Sequence, residues 1–168
     1  MARVRIVCVL KSGGDFNGSH VEALRRQAKV YLPGGFDFVV LTDLAGVPDP
    51  APLWFNLPGW RSKLEAFNYA HRPILYFDLD TVLCRDLGHL LTAASNMPVG
   101  EFRMLRPFNP IRNGRGEWAY GIMAWHGDLR FLLYDFDQNF SMYPAAGDQE
   151  YIFRALLENG REIKSIQD

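Results

Sequence analysis

Cysteine is scarce in this chain. Only Cys8 and Cys84 occur, each inside or beside an apolar run and neither in a C-x-x-C pair, which excludes zinc-finger and thioredoxin-like chemistry. Two small buried side chains in a reducing compartment are expected instead. The four histidines, His20, His71, His89 and His126, lack metal-ligand spacing and are expected to be structural. Charge of one sign is missing as well. The chain carries 18 Lys and Arg against 19 Asp and Glu, a net charge of −1. That balance excludes the broad electrostatic grip by which a basic face holds nucleic acid. Long hydrophobic runs are absent too. The apolar stretch Ile6–Leu10 is too short for a signal-peptide core, and no window approaches the ~18 apolar residues of a membrane span. A soluble, cytoplasmic protein without a transmembrane segment is expected. Internal repeats and low-complexity tracts are also lacking, and nothing marks a second domain.

What is present is ordinary globular sequence with many rings. The 168 residues suit one domain, and 48% hydrophobic with 22% charged residues suits a packed core. Aromatic residues reach 14%, with 12 Phe, 7 Tyr and 4 Trp, enough for a well-filled interior or a flat-walled pocket. Val4, Ile6, Cys8 and Leu10 alternate with Val7 and Val9, as in a strand covered on both faces. Ser19-His20-Val21-Glu22 reads as a capping box, followed by Val21, Leu24, Ala28 and Tyr31 at helical spacing. Phe36–Leu41 is a second buried strand, so a parallel α/β sheet opens the chain.

Four prolines between Ala45 and Pro58 forbid a regular helix, and the segment reads as an ordered surface loop. A helix is expected from Gly59-Trp60, with Trp60, Leu64 and Phe67 inward and Arg61, Lys63 and Glu65 largely on other faces. Ile74–Phe77 is apolar on both faces and is expected to be a central strand. Asp86 is placed to cap a helix carrying Leu87, Leu90, Leu91 and Ala94. Val99–Leu105 and Tyr120–Trp125 read as strands. Asp128 and Gly147-Asp148 open two further helices, and Gly160 suits the C-terminal cap of the second.

Open parallel sheets bind ligands at the carboxyl ends of their strands. Lys11–Gly14, Thr42-Asp43 and Asp78-Leu79-Asp80 all fall there. The last is the sharpest signal, because two carboxylates one residue apart beyond a buried strand suit a hard divalent cation with oxygen ligands. Two reactions use that signature. The aspartates can hold a metal that bridges a nucleotide-sugar diphosphate, or Asp78 can be the nucleophile of a haloacid-dehalogenase-type phosphatase.

The string Trp60–Phe67 followed by Ile74–Val82 resembles glycosyltransferases of the GT-A fold, of the glycogenin-like or galactosyltransferase-like kind. Val9–Gly14, Leu41-Thr42-Asp43, Gly121–Trp125 and Gly147–Glu150 agree with it in order and spacing. The resemblance spans most of residues 4–153. It implies a single GT-A-like domain over 1–168, with a mostly parallel central sheet flanked by helices. It also implies a metal-dependent transfer of sugar from a nucleotide-diphosphate donor, UDP-sugar favoured, with retention of anomeric configuration. The acceptor is left unknown: glycan, lipid or protein. A nucleotide-sugar-binding protein without turnover is the third alternative.

By the same resemblance, Leu10, Lys11 and Ser12 would line the nucleotide pocket, with Thr42 and Asp43 near base or ribose. Lys63 would lie over phosphates or sugar. Asp78 and Asp80, with Leu79 between them, would hold Mn²⁺ or Mg²⁺ and the diphosphate, Asp80 being the more direct ligand. Asp148 and Gln149 would face the transferred sugar and support charge at its anomeric carbon. Relatives often carry Asn-Ser where this chain has Ala119-Tyr120, and a metal-binding His beyond the Asp148 region, where this chain has none after His126. A form without the usual C-terminal extension is therefore expected. Simpler roles stand beside these: a solvated Lys63, a helix-capping Asp148, Trp60 and Trp125 in the core, and a solvated basic loop at Arg103, Arg106, Arg112 and Arg115.

Overall fold

A computed structural model describes residues 3–107, 109, 111, 118–139 and 147–167. Its frame is one seven-stranded sheet in the order β3-β2-β1-β4-β6-β5-β7. The strands are β1 (Val4–Leu10), β2 (Phe36–Thr42), β3 (Pro50–Pro52), β4 (Ile74–Phe77), β5 (Phe102–Leu105), β6 (Ala119–Trp125) and β7 (Ile163–Ser165). β1 pairs in parallel with both β2 and β4, and β2 with β3. β6 runs antiparallel to β4 and to β5, and β7 is parallel to β5. One reversed strand thus interrupts an otherwise parallel sheet, and β4 sits in the middle as its uniform apolarity predicts.

Side-chain alternation divides the interior in two. Val4, Ile6, Cys8 and Leu10 of β1 join Leu75 and Phe77 of β4 under α1 (Gly18–Tyr31) and α2 (Gly88–Ser95). On the opposite face Val7 joins Ile74 and Tyr76. That face is covered by the 3₁₀ segment Gly59–Asn68, by α3 (Phe131–Asn139) and by α4 (Asp148–Glu158). The parity matters for the site. Two residues on from Tyr76 and just past the strand, Asp78 lies on the second face, towards the 3₁₀ segment and α4.

Local details depart from the sequence expectations for identifiable reasons. α1 begins at Gly18, capped by Asn17, whose side chain accepts from the Ser19 N–H while His20 completes the box. Asn competes as well as Ser for that position, and it stands earlier in the chain. The expected helix from Gly59 is a run of 3₁₀ turns instead. Glu65 is not on a solvent face but fully buried. The proline-rich loop contains β3 at the sheet edge, where a missing N–H is tolerated. β5 starts at Phe102 rather than Val99, and Arg103 sits within it, paired with Glu101. Arg112 and Arg115 lie outside the described residues. Cys8 is buried as expected, and burial raises its thiol to about 12. Cys84, by contrast, is exposed.

Other expectations hold. α2 buries Leu90, Leu91 and Ala94, and the Asp86 carboxylate accepts from the Gly88 N–H at 2.7 Å. α4 closes on a Schellman arrangement, with Gly160 N–H donating to Leu157 O and Arg161 N–H to Leu156 O, both at 2.9 Å. Gly160 has φ +65, which glycine adopts without strain. Among the described residues no helix is long and apolar enough to cross a membrane.

Candidate active site

The strand ends of β1 and β4 meet the 3₁₀ segment and the first turn of α4 around a crevice of about 400 Å³. Its lining includes Lys11 and Ser12, Trp60 and Lys63, the run Asp78-Leu79-Asp80, and Asp148. Seven of the residues singled out from sequence therefore converge: Lys11, Ser12, Lys63, Asp78, Leu79, Asp80 and Asp148. Leu79 reaches the crevice while its side chain packs into the α1/α2 core.

Lys63 is the centre of the arrangement. Its ammonium lies 2.9 Å from Asp78 Oδ2 and 2.9 Å from Asp148 Oδ2. Burial works to lower the Lys63 pKa, but the two carboxylates outweigh it and the net shift is upward. Tyr76, on the same face as Asp78, donates its hydroxyl hydrogen bond to Asp78 Oδ1 at 2.8 Å. Both Asp78 oxygens are thus engaged. Burial still raises the Asp78 carboxyl, against the pull of Lys63 and Tyr76, and the neighbouring Asp80 adds to the rise. Burial likewise raises the Tyr76 phenol well above its ordinary value, with the Asp78 charge adding to it.

The backbone fixes this corner. Asp78 N–H donates to Gly121 O at 2.8 Å, and Thr81 N–H to Asp78 O at 3.1 Å, so the chain turns immediately after β4. That turn brings Asp80 to the rim. The Asp80 carboxylate has no hydrogen-bond partner among the described residues, in contrast to Asp78. It is an open oxygen donor facing the same space.

At the other end of the crevice Asp43 organises the β1 loop. Ser12 donates to it from its N–H at 2.8 Å and from its hydroxyl at 2.6 Å, and Lys11 pairs with it as well. Burial pushes the Asp43 carboxyl up, but the hydrogen bonds from Lys11 and Ser12 together outweigh it and hold the group well below the usual carboxylate range. Asp43 therefore stands behind Lys11 and Ser12 rather than lining the crevice. Thr42 is buried, its hydroxyl accepting from the Leu44 N–H at 3.0 Å. Leu10 is sealed in the core and does not line the crevice. Gln149 is exposed on the first turn of α4.

Two contributors escape the sequence reading. Trp60, expected in the core, is 46% exposed and forms part of the wall; Trp125 is the buried one. Tyr76 looked like another apolar strand residue, and only the period-2 parity with Asp78 could have signalled its role. Asp148 is the first residue of α4, with Gly147 as the cap and no side-chain cap present. Its carboxylate faces Lys63, and the helix N-terminus favours its negative charge.

No family model matches the chain, and no curated protein matches it in sequence. Solved structures do match. A galactosyltransferase, LgtC, in complex with donor and acceptor sugar analogues superposes with a TM-score of 0.57 at 13% identity, over 88% of this chain and 69% of that one. The apo-form glycosyltransferase GlyE of Streptococcus pneumoniae TIGR4 gives 0.65 at 12% identity, over 98% of this chain and 45% of that one. The fold is GT-A-like. At such identities the likeness speaks for the GT-A-like architecture, and this chain spans less than half of GlyE and about two-thirds of LgtC. In the GT-A-like frame the crevice occupies the carboxyl edge of the parallel strands, where open α/β sheets place ligands.

Proposed function

We propose that this chain is a glycosyltransferase that moves a sugar from a nucleoside-diphosphate donor to an acceptor, with a divalent metal and with retention at the anomeric carbon. The observation that carries the reading is the charge of the crevice. Two lysines, Lys11 and Lys63, face four aspartates, Asp15, Asp78, Asp80 and Asp148, so the lining is formally two charges negative. A diphosphate is repelled by such a surface unless a cation comes with it. The open Asp80 carboxylate suits that cation, and Asp78 lies beside it. Among the described residues no group of three or more His, Cys, Asp or Glu forms a protein cage. An ion here would therefore complete its shell with water and diphosphate oxygens, as Mn²⁺ and Mg²⁺ do readily.

When bound, the metal supplies Lewis-acid stabilisation of the departing nucleoside diphosphate. The chain's own residues do the rest. Lys63 fixes Asp78 and Asp148 and adds positive charge beside the diphosphate. Asp148 accepts hydrogen bonds from sugar hydroxyls and supports the positive charge that develops at the anomeric carbon. Gln149 offers an amide to the same hydroxyls. Lys11 and Ser12, set by Asp43, hold the nucleoside end above Leu79, with Leu10 and Thr42 packed behind them. UDP is the favoured nucleotide on the sequence resemblance alone.

The phosphatase alternative is weakened by the place of Asp78 in the chain, after two complete strand units rather than near the start, and by the GT-A-like fold. The test is to follow UDP-sugar hydrolysis in Mn²⁺ by proton NMR. Slow release of a hexose with the donor's anomeric configuration supports a retaining transferase. Tight UDP binding without any hydrolysis would assign a binding protein instead, and inverted product would overturn retention.

A further inference from the structure

Trp60 borders the crevice with nearly half of its surface exposed, and the chain fixes it there. Gly59 turns the backbone at φ +57, which glycine adopts without strain. The Ser62 hydroxyl donates to Gly59 O at 2.8 Å and closes the first 3₁₀ turn around Trp60. At three residues per turn, positions i and i+3 share a face, so Trp60 stands about 6 Å along the axis from Lys63. Both residues line the crevice. The neighbours of Trp60 show which end of the crevice it borders. The Arg61 guanidinium lies over the Trp60 ring at 5.5 Å and over the Phe136 ring of α3 at 5.8 Å. Phe136 in turn meets Tyr151 of α4 edge-on at 4.9 Å. Trp60 is thereby tied to the α3–α4 side, where Asp148 begins α4 and pairs with Lys63 at 2.9 Å. The β1 loop with Lys11 and Ser12 forms the other end.

A flat ring beside a carboxylate, in a crevice of small-molecule size, suits a ligand with one apolar face and a polar rim. A pyranose has both. Its C–H face packs on an aromatic ring, and its hydroxyls need acceptors such as Asp148. A nucleobase would stack on the ring too, but Lys11 and Ser12 hold the nucleoside at the opposite end. We propose that Trp60 is the wall on which the transferred hexose lies, with its ring against the sugar's C–H face while Asp148 takes the hydroxyls. This rests on the glycosyltransferase reading of the crevice and goes beyond it in assigning the surface that contacts the sugar. Because Gly59 and Ser62 set the turn beforehand, the ring is ordered before the donor arrives, which lowers the cost of binding.

The test is saturation-transfer NMR on UDP-glucose, UDP-galactose and UDP-N-acetylglucosamine with Mg²⁺, in which hexose and uracil protons report separately. In wild type both groups receive saturation from the protein for at least one of these donors. Trp60→Ala lowers the hexose-to-uracil ratio about threefold, the loss expected of one ring contact, while the uracil signals persist. Trp60→Phe, which keeps an aromatic face, retains most of the ratio. An unchanged ratio in Trp60→Ala would overturn the assignment, as would wild-type hexose protons that receive no saturation while uracil does. A loss confined to uracil would also overturn it and make Trp60 a base-stacking ring. Absence of any uracil signal in wild type would instead sink the donor reading, and this inference with it.

Discussion

Asp78 and Asp148, from the end of β4 and the start of α4, are held by one cation: Lys63 Nζ stands 2.9 Å from an oxygen of each. Among the described residues no other ion pair or hydrogen bond joins these two carboxylates across the crevice. The ion pair is therefore both a structural tie between the sheet and α4 and a component of the proposed donor site.

Lys63→Met leaves two carboxylates facing each other in a partly closed space. Breaking a buried pair costs more than a surface one, and the residual exposure here reduces the figure to about 2 kcal/mol. Urea unfolding should show the loss in midpoint. A variant as stable as wild type would mean that the pair is a solvated contact.

Tyr76→Phe removes one hydroxyl and leaves Asp78 Oδ1 without its donor. A stability loss of about 1 kcal/mol is expected, together with a weaker UDP response in Mn²⁺ because Asp78 is no longer held. Unchanged nucleotide binding would show that the hydroxyl only fills space.

Acid sensitivity follows from Asp43 and Glu101. Burial acts to raise both, but hydrogen bonds from Lys11 and Ser12 to the first, and from Lys164 and Arg103 to the second, bring their folded values below the ordinary ones. A depressed carboxyl stabilises the fold above its unfolded pKa of about 4 and loses that contribution as pH falls towards the folded value. Melting temperature should drop between pH 5 and pH 3, and Asp43→Asn should make that drop shallower. An equally steep fall in the variant would place the acid sensitivity elsewhere.

Gly160→Ala provides the contrast. The position has φ +65 at the C-terminal end of α4, remote in sequence from Asp148, and the substitution should cost about 1 kcal/mol in stability. Nucleotide affinity should stay unchanged. A change in affinity would reveal that α4 transmits strain along its length.

Much of this architecture was legible in the sequence because strands covered on both faces leave an unmistakable pattern. Val4–Leu10 and Ile74–Phe77 could only be interior strands, and Asp78-Leu79-Asp80 therefore had to emerge at the sheet's carboxyl edge. The resemblance implies Lys63 over phosphates or sugar and Asp148 against the sugar; that Lys63 bridges Asp78 and Asp148 by direct ion pairs is a tertiary relationship that no local pattern announces. Glu65 was misplaced because a helical wheel describes 3₁₀ turns poorly: at three residues per turn the faces shift, and a charged residue moved inward. β3 and β7 were missed because three-residue edge strands are defined by their neighbours, not by their own composition. Asn17 was passed over because Ser19 offered the more familiar cap.

The central claim is that Asp80, with Asp78, presents a divalent ion to the diphosphate of a nucleotide. Thermal unfolding with UDP, with Mn²⁺, with both, and with UDP in EDTA, on wild type and Asp80→Asn, tests it most directly. The account predicts a large rise only when both are present, about 2.7 kcal/mol at one hundred times the dissociation constant, and its loss in Asp80→Asn. An equal rise in EDTA, or a full metal-dependent rise in Asp80→Asn, would contradict it.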